Sequence, residues 1–224
     1  MPVLRFPDPR DADEDGLLAL GGDLHPETLR MAYRQGIFPW PHDDLPLLWF
    51  SPPRRAILSF DRLHVPKSLA KERRKERFTF TIDRAFERVI TSCRRAPRPD
   101  QEGTWITPEM VRAYVQLHRL GDAHSVEAWD ENGELAGGLY GVDVGGVFAG
   151  ESMFYRQPYA SKLCLLHLID HLTERGSTWI DIQMMTAHFQ ALGAHEVPRE
   201  RFLAMLAEGQ KEGRALFGPD AQPL

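Results

Sequence analysis

From Ser125 to Phe154 the chain reads as three strands joined by two turns, and this run constrains the fold more than any other. Ser125–Asp130 is the first strand, turned by Glu131-Asn132-Gly133. Leu135–Val144 is the second, and Gly145-Gly146 leads tightly into the third, Val147–Phe154. Alternating segments with turns this short form an antiparallel meander. An apolar helix over Ala160–Arg175, ended by Gly176, and a short strand, Trp179–Gln183, follow. On a strand, residues i and i+2 share a face, so Asp181 and Gln183 point one way and Ile180 and Ile182 the other.

The meander does not stand alone. Pro26–Gln35 has Pro in the first turn, Glu27 at the positive end and Gly36 as a stop, which predicts a helix. Residues 1–25 read as loop. Gly36–Pro41 is too rich in Pro and aromatics for a regular element, and Leu47–Arg55 repeats that flavour with a stiff turn and two cations. Phe38 and Trp40 are expected in an aromatic mini-core. Near Asp61 the composition turns basic. Asp61–Arg98 holds twelve Lys/Arg against five Asp/Glu, a net of +7 in a chain of net charge −5. Pro66–Glu76 is predicted helical, with Lys67, Lys71, Arg74 and Lys75 on one face, as a phosphate backbone would require. The same run also fits a solvated surface. Phe78–Ile82 is a strand, Asp83 is expected to cap a helix to about Cys93, and Arg94–Gly103 is a polar loop. Thr107 and Pro108 open a helix to Leu120, and Pro198–Gly209 is the last. The order predicts an α+β fold with a small N-terminal domain, residues 1–60. A larger domain, residues 61–224, would be acetyltransferase-like (GNAT-like), with a mixed, largely antiparallel sheet flanked by helices.

The composition excludes several classes. With 42% hydrophobic and 26% charged residues in 224, the chain can bury a core without metals or disulfides. Cys93 and Cys164 form no framework and lack metal-ligand spacing. No apolar run approaches the ~20 residues of a membrane helix. The acidic N-terminus lacks the regions of a signal peptide, so a cytoplasmic protein is expected. His167 and His171 lie one turn apart, but Leu168 stands where a zinc protease needs Glu, so they read as structural. Ser152 and Ser161 lack a nucleophile-elbow setting. Glu151, at a strand end in apolar company, either holds a cationic group or is a surface residue. Arg156–Ser161, which opens the apolar helix, carries no glycine to cradle a pyrophosphate. A CoA-dependent N-acetyltransferase is therefore the lesser alternative. The local basic patch on an acidic chain also fits a polyanion-binding site.

Nine stretches together resemble the bacterial leucyl/phenylalanyl-tRNA–protein transferase family. They are Gly-Leu-Leu-Ala-Leu-Gly-Gly-Asp-Leu (16–24), Met-Ala-Tyr-Arg-Gln-Gly-Ile-Phe-Pro-Trp (31–40), Trp-Phe-Ser-Pro (49–52), Thr-Trp-Ile-Thr (104–107) and His-Ser-Val-Glu-Ala-Trp (124–129). Gly-Glu-Ser-Met-Phe (150–154), Ala-Ser-Lys (160–162), Ile-Asp-Ile-Gln (180–183) and His-Phe-Gln-Ala-Leu-Gly-Ala (188–194) complete the set. The resemblance implies transfer of Leu or Phe from aminoacyl-tRNA to the N-terminal Arg or Lys of a protein, marking it for degradation. No metal or cofactor is implied, and a monomer is expected. Asp181 and Gln183 would be the catalytic pair, and Glu151 would help bind the acceptor N-terminus. Trp49 and Trp105 would hold the 3′-terminal adenosine. Leu139, Phe148, Leu165 and Ile180 would line the amino-acid pocket, and the basic helix from Lys67 would grip the tRNA acceptor stem.

The chemistry fits these residue types. An aminoacyl ester is already activated, so an enzyme need only position an amine and take its proton. Asp181 is expected to polarise Gln183, whose carbonyl oxygen orients the amine. An apolar pocket admits Leu and Phe, and Met with them, discriminating by only about 1–3 kcal/mol per methylene.

Overall fold

The computed structural model describes residues 2–42, 45–97 and 104–218. The loop read over Arg94–Gly103 therefore lies outside the described residues from 98 to 103. Two sheets organise the rest. A small one has the order β1-β3-β2, from β1 (Leu17–Leu20), β2 (Phe38–Trp40) and β3 (Leu48–Phe50). The larger has seven strands: β4 (Arg54–Ser59), β5 (Thr79–Ile82), β6 (Ala123–Trp129), β7 (Leu135–Asp143), β8 (Phe148–Tyr155), β9 (Trp179–Gln183) and β10 (His195–Pro198). Their order is β10-β4-β9-β8-β7-β6-β5. All neighbours are antiparallel except β8 and β9, which run parallel and register at Ala149↔Asp181. The expected mixed, largely antiparallel sheet is thus present.

Helices cover both faces. On one side α1 (Pro26–Arg34), α3 (Phe86–Arg95), α4 (Pro108–Arg119) and α7 (Arg199–Glu212) join the small sheet in a core that includes Tyr33, Phe38, Trp49, Ile57, Tyr114, Tyr140 and Phe202. On the other, α2 (Lys67–Arg73) and α5 (Ala160–Glu174) enclose Leu58, Leu139, Phe148, Leu165, Ile180 and Ile182. A short α6 (Ala187–Ala191) follows β9. The two faces of β9 therefore belong to different cores, as period-2 alternation requires.

Several expectations need correction. The N-terminal region is not loop and aromatic turn but a three-stranded sheet. Its strands are short, and Pro39 is tolerated because β2 is an edge strand. Strand β4, which lies before residue 60, pairs with β9 and β10 inside the larger sheet. The basic helix stops at Arg73, not Glu76, and Glu76 takes a left-handed φ of 49°. Asp83 does not cap α3. It sits at φ 62°, and its carboxylate accepts from Ser125 N at 2.8 Å and lies 2.7 Å from His124 Nδ1. Buried Glu127 accepts instead from Arg84 N and Ala85 N, both at 3.3 Å, just ahead of α3, whose start carries no side-chain cap. Thr107 does cap α4, accepting from Met110 N, with Pro108 in first position.

Candidate active site around Gln183 and Glu151

Because β8 and β9 run parallel from Ala149 and Asp181, the residues two further on, Glu151 and Gln183, face each other across the pair. Gln183 Nε2 donates to Glu151 Oε1 at 2.7 Å. The same Oε1 accepts from the Tyr33 hydroxyl at 2.7 Å, and Oε2 from the Tyr114 hydroxyl at 3.3 Å. The two tyrosine hydroxyls also bond to each other. Tyr33 comes from α1 and Tyr114 from α4, so two helices aim their phenols at one carboxylate. Burial pushes the Glu151 carboxyl up to about 7, although three donors favour its charged form; Asp181 nearby adds to the rise. Burial also raises both phenols, which stay protonated as donors.

Asp181 and Gln183 do share the sheet face turned to the first core, but Asp181 does not touch the Gln183 amide. Its Oδ1 accepts from the Gln183 backbone N–H at 2.9 Å. Its main partner is Arg55, which binds through two nitrogens, Nε to Oδ1 at 2.8 Å and Nη2 to Oδ2 at 2.7 Å. Gln183 itself has a left-handed φ of 57°. The expected polarisation of the Gln183 side chain by Asp181 is thus replaced by an anchor on its backbone.

The remaining candidates lie around this centre in different ways. Leu139, Phe148, Leu165 and Ile180 are together in the second core, each with 4% exposure or less, on the opposite face of the sheet. Phe148 and Ile180 immediately precede the registered pair Ala149 and Asp181. Trp49 is only 1% exposed, packs edge-on against Phe6 at 4.8 Å and donates its indole N–H to Gly21 O at 2.8 Å. It offers no ring face to a base. Trp105, half-buried, stacks instead on Trp40 at 5.3 Å with 17° between planes. In and after α2, Lys67, Lys71 and Arg74 are exposed and make no ion pair among the described residues. Lys75 differs, being bound by Glu72 at 2.6 Å, with Arg77 on the same carboxylate at 2.8 Å.

The comparisons with known proteins decide the family. The model of the leucyl/phenylalanyl-tRNA protein transferase matches residues 57–207, and that of its N-terminal domain matches residues 22–53. Proteins named leucyl/phenylalanyl-tRNA–protein transferase are similar along nearly the whole chain. That of Maridesulfovibrio salexigens is 54% identical over 91% of this chain and 85% of its own. That of Anaeromyxobacter sp. is 53% identical over 96% and 88%, and that of Myxococcus xanthus 51% over 97% and 94%. The chain belongs to the leucyl/phenylalanyl-tRNA–protein transferase family. Among solved structures, L-PGS from Bacillus licheniformis aligns with a TM-score of 0.40 at 16% identity over 70% of this chain and 51% of that one, too weak a likeness to carry an argument.

For a transferase of this family, three residues at the centre escaped sequence reasoning: Arg55, Tyr33 and Tyr114. Arg55 had one signal, a cation directly before the apolar run Ala56-Ile57-Leu58. Tyr33 lies within the matching stretch 31–40, but like Tyr114 it looks like an aromatic on an amphipathic helix. The histidines read as structural have such partners: His171 Nε2 is 2.9 Å from Leu216 O, and His167 stacks on Phe80. Among the described residues no group of three or more His, Cys, Asp or Glu is placed to hold a metal ion. Nor, among them, is any helix long and apolar enough to cross a membrane.

Proposed function

We propose that the protein transfers leucine or phenylalanine, and methionine with them, from aminoacyl-tRNA to the N-terminal Arg or Lys of acceptor proteins. It would act as a monomer in the cytoplasm and mark its acceptors for degradation. The observation that carries the reading is the Gln183–Glu151 bridge. With Nε2 donating to Glu151 at 2.7 Å, the Gln183 amide keeps its carbonyl oxygen for an incoming amine. Glu151, at about 7, is matched to a protein α-ammonium of about 7.7–8.0, so it can hold that group and receive its proton. The freed amine attacks the ester carbonyl, a C–N bond forms, and the ester C–O bond breaks. The ribose oxygen leaves with the proton the amine sheds. No activation beyond the ester is needed.

In this reading Leu139, Phe148, Leu165 and Ile180 accept the aminoacyl side chain, which enters beside the Ala149–Asp181 pair between β8 and β9. Trp105 stacks the 3′-terminal adenine with Trp40 in the place expected of Trp49. Lys67, Lys71 and Arg74 contact the acceptor stem, while Lys75 is largely neutralised by Glu72. The larger sheet, with helices on both faces, supports an acetyltransferase-like layer. CoA is not favoured as donor: α5 opens at Tyr159, without a glycine and without a side-chain cap. The test offers labelled Leu-tRNA, labelled acetyl-CoA and an Arg-ended peptide together. The expected product is leucyl-peptide alone. Acetyl-peptide, or tRNA binding without product, would refute the reading.

A further inference from the structure

Arginine is rarely buried without a partner, yet the Arg55 side chain is 2% exposed. Its fork grips Asp181 through both carboxylate oxygens, a geometry that lysine cannot reproduce. Its Nη1 donates to Gly36 O at 3.2 Å. Its guanidinium carbon lies over two rings, Phe38 at 4.6 Å and Phe202 at 4.5 Å. Gly36 ends α1 with a φ of 75°, Phe38 lies in β2 and Phe202 in α7. Segments far apart in the chain thus fix one guanidinium, and through it one carboxylate.

That carboxylate then holds the backbone of Gln183. The bond from Gln183 N to Asp181 Oδ1, at 2.9 Å, spans i to i+2, the side-chain bond that mimics a backbone turn. A non-glycine residue adopts φ 57° only when its surroundings over-determine it. With the backbone so turned, the Gln183 side chain meets Glu151. Asp181 already accepts three bonds of the roughly four a carboxylate can take, and its side chain is 4% exposed. It is poorly placed to receive a proton from a substrate.

The geometry points to Arg55 and Asp181 as positioning residues: Arg55 orients Asp181, Asp181 sets the turned backbone of Gln183, and of the three only Gln183 meets the acceptor amine. This rests on the reading of Gln183 given under Proposed function. The experiment measures kcat and peptide KM for leucyl transfer, with a melting curve, in Gln183→Ala, Asp181→Asn, Arg55→Met and the double variant Arg55→Met/Asp181→Asn. Loss of a proton acceptor costs about 10²–10⁴-fold, whereas Asp181→Asn, which keeps an oxygen for the Gln183 N–H, is expected to lose less than about 10-fold in kcat of the folded enzyme, while its melting temperature falls because the buried Arg55 guanidinium is left unpaired. Arg55→Met strands a buried carboxylate and falls further, and the double variant recovers rate because Asn needs no counter-charge. If Arg55→Met does not fold, the double variant is compared with Asp181→Asn and is expected within about 10-fold of it. A kcat loss of about 10² or more in Asp181→Asn, assayed below its own melting temperature, or a double variant no faster than Arg55→Met, overturns the inference. An unimpaired Gln183→Ala would instead overturn the reading of the site itself.

Discussion

The most direct perturbation of the site is Glu151→Gln, because it removes one ionisation and little volume. The Glu151 carboxyl is raised from 4.5 to about 7, chiefly by burial. A folded-state value above the unfolded one means the native protein binds the proton more tightly than the unfolded chain. Stability attributable to Glu151 is therefore fully present below about pH 4.5, falls as pH rises, and levels off above about pH 7. At ~1.4 kcal/mol for each pH unit, the change across that window is on the order of 3 kcal/mol. Tyr33, Tyr114 and Gln183 donate to the carboxylate throughout, so they shift the level and not the sign. The assay is urea unfolding of wild type and Glu151→Gln from about pH 4.5 to about pH 8, read as the difference between the two proteins. The difference cancels other titrations, including that of Glu127, also raised by burial. Wild type is expected to lose stability relative to the variant as pH rises. A flat difference, or a wild type that gains stability relative to the variant as pH rises, would show that Glu151 is not held in a desolvating site. In transfer assays the wild-type rate should rise with pH through about 7, and that limb should be missing in Glu151→Gln.

Two other perturbations separate neighbours that look alike in sequence. Lys67→Ala, Lys71→Ala and Arg74→Ala should each weaken aminoacyl-tRNA binding and lower the slope of log K against log salt by about 0.7–0.9, whereas Lys75→Ala should change it less; equal effects at all four positions in filter binding would contradict the Glu72 pairing. Trp49→Ala should cost about 3–5 kcal/mol of stability through the cavity it leaves, while Trp105→Ala should raise the KM for aminoacyl-tRNA with a nearly unchanged melting temperature; the reverse pattern would put the base-stacking face on Trp49.

The parts of the fold legible in sequence are those where local signals agree. The meander and α5 stand as read because Asn132-Gly133, Gly145-Gly146 and Gly176 punctuate long periodic runs. What was missed is short or set by distant partners. Strands β1, β2 and β3 have three or four residues each, too few to show alternation. Strand β4 begins with two arginines after two prolines and becomes a strand because β9 and β10 pair with it on either side. Asp83 looks like a cap by position, but a cap needs its side chain over the helix end, and its left-handed backbone turns it toward Ser125 and His124.

The same division runs through the site, where the Asp181 side chain meets Arg55 and the Gln183 backbone instead of the Gln183 side chain. An i, i+2 pair on a strand is visible in sequence, and Asp181 and Gln183 do lie on one face. What each side chain touches depends on residues far along the chain: Arg55 for Asp181, and Glu151 with its two tyrosines for Gln183. Each of these contacts closes a span of 32 to 126 residues. A buried carboxylate in a protein interior must find a cation or give up its charge. The two carboxylates here take opposite courses: Asp181 has the guanidinium, while Glu151 has only neutral donors and is pushed up to about 7. In the proposed reading a cationic N-terminus is held and then neutralised by the unpaired carboxylate next to Gln183, which is unpaired because the only buried guanidinium among the described residues goes to the other one.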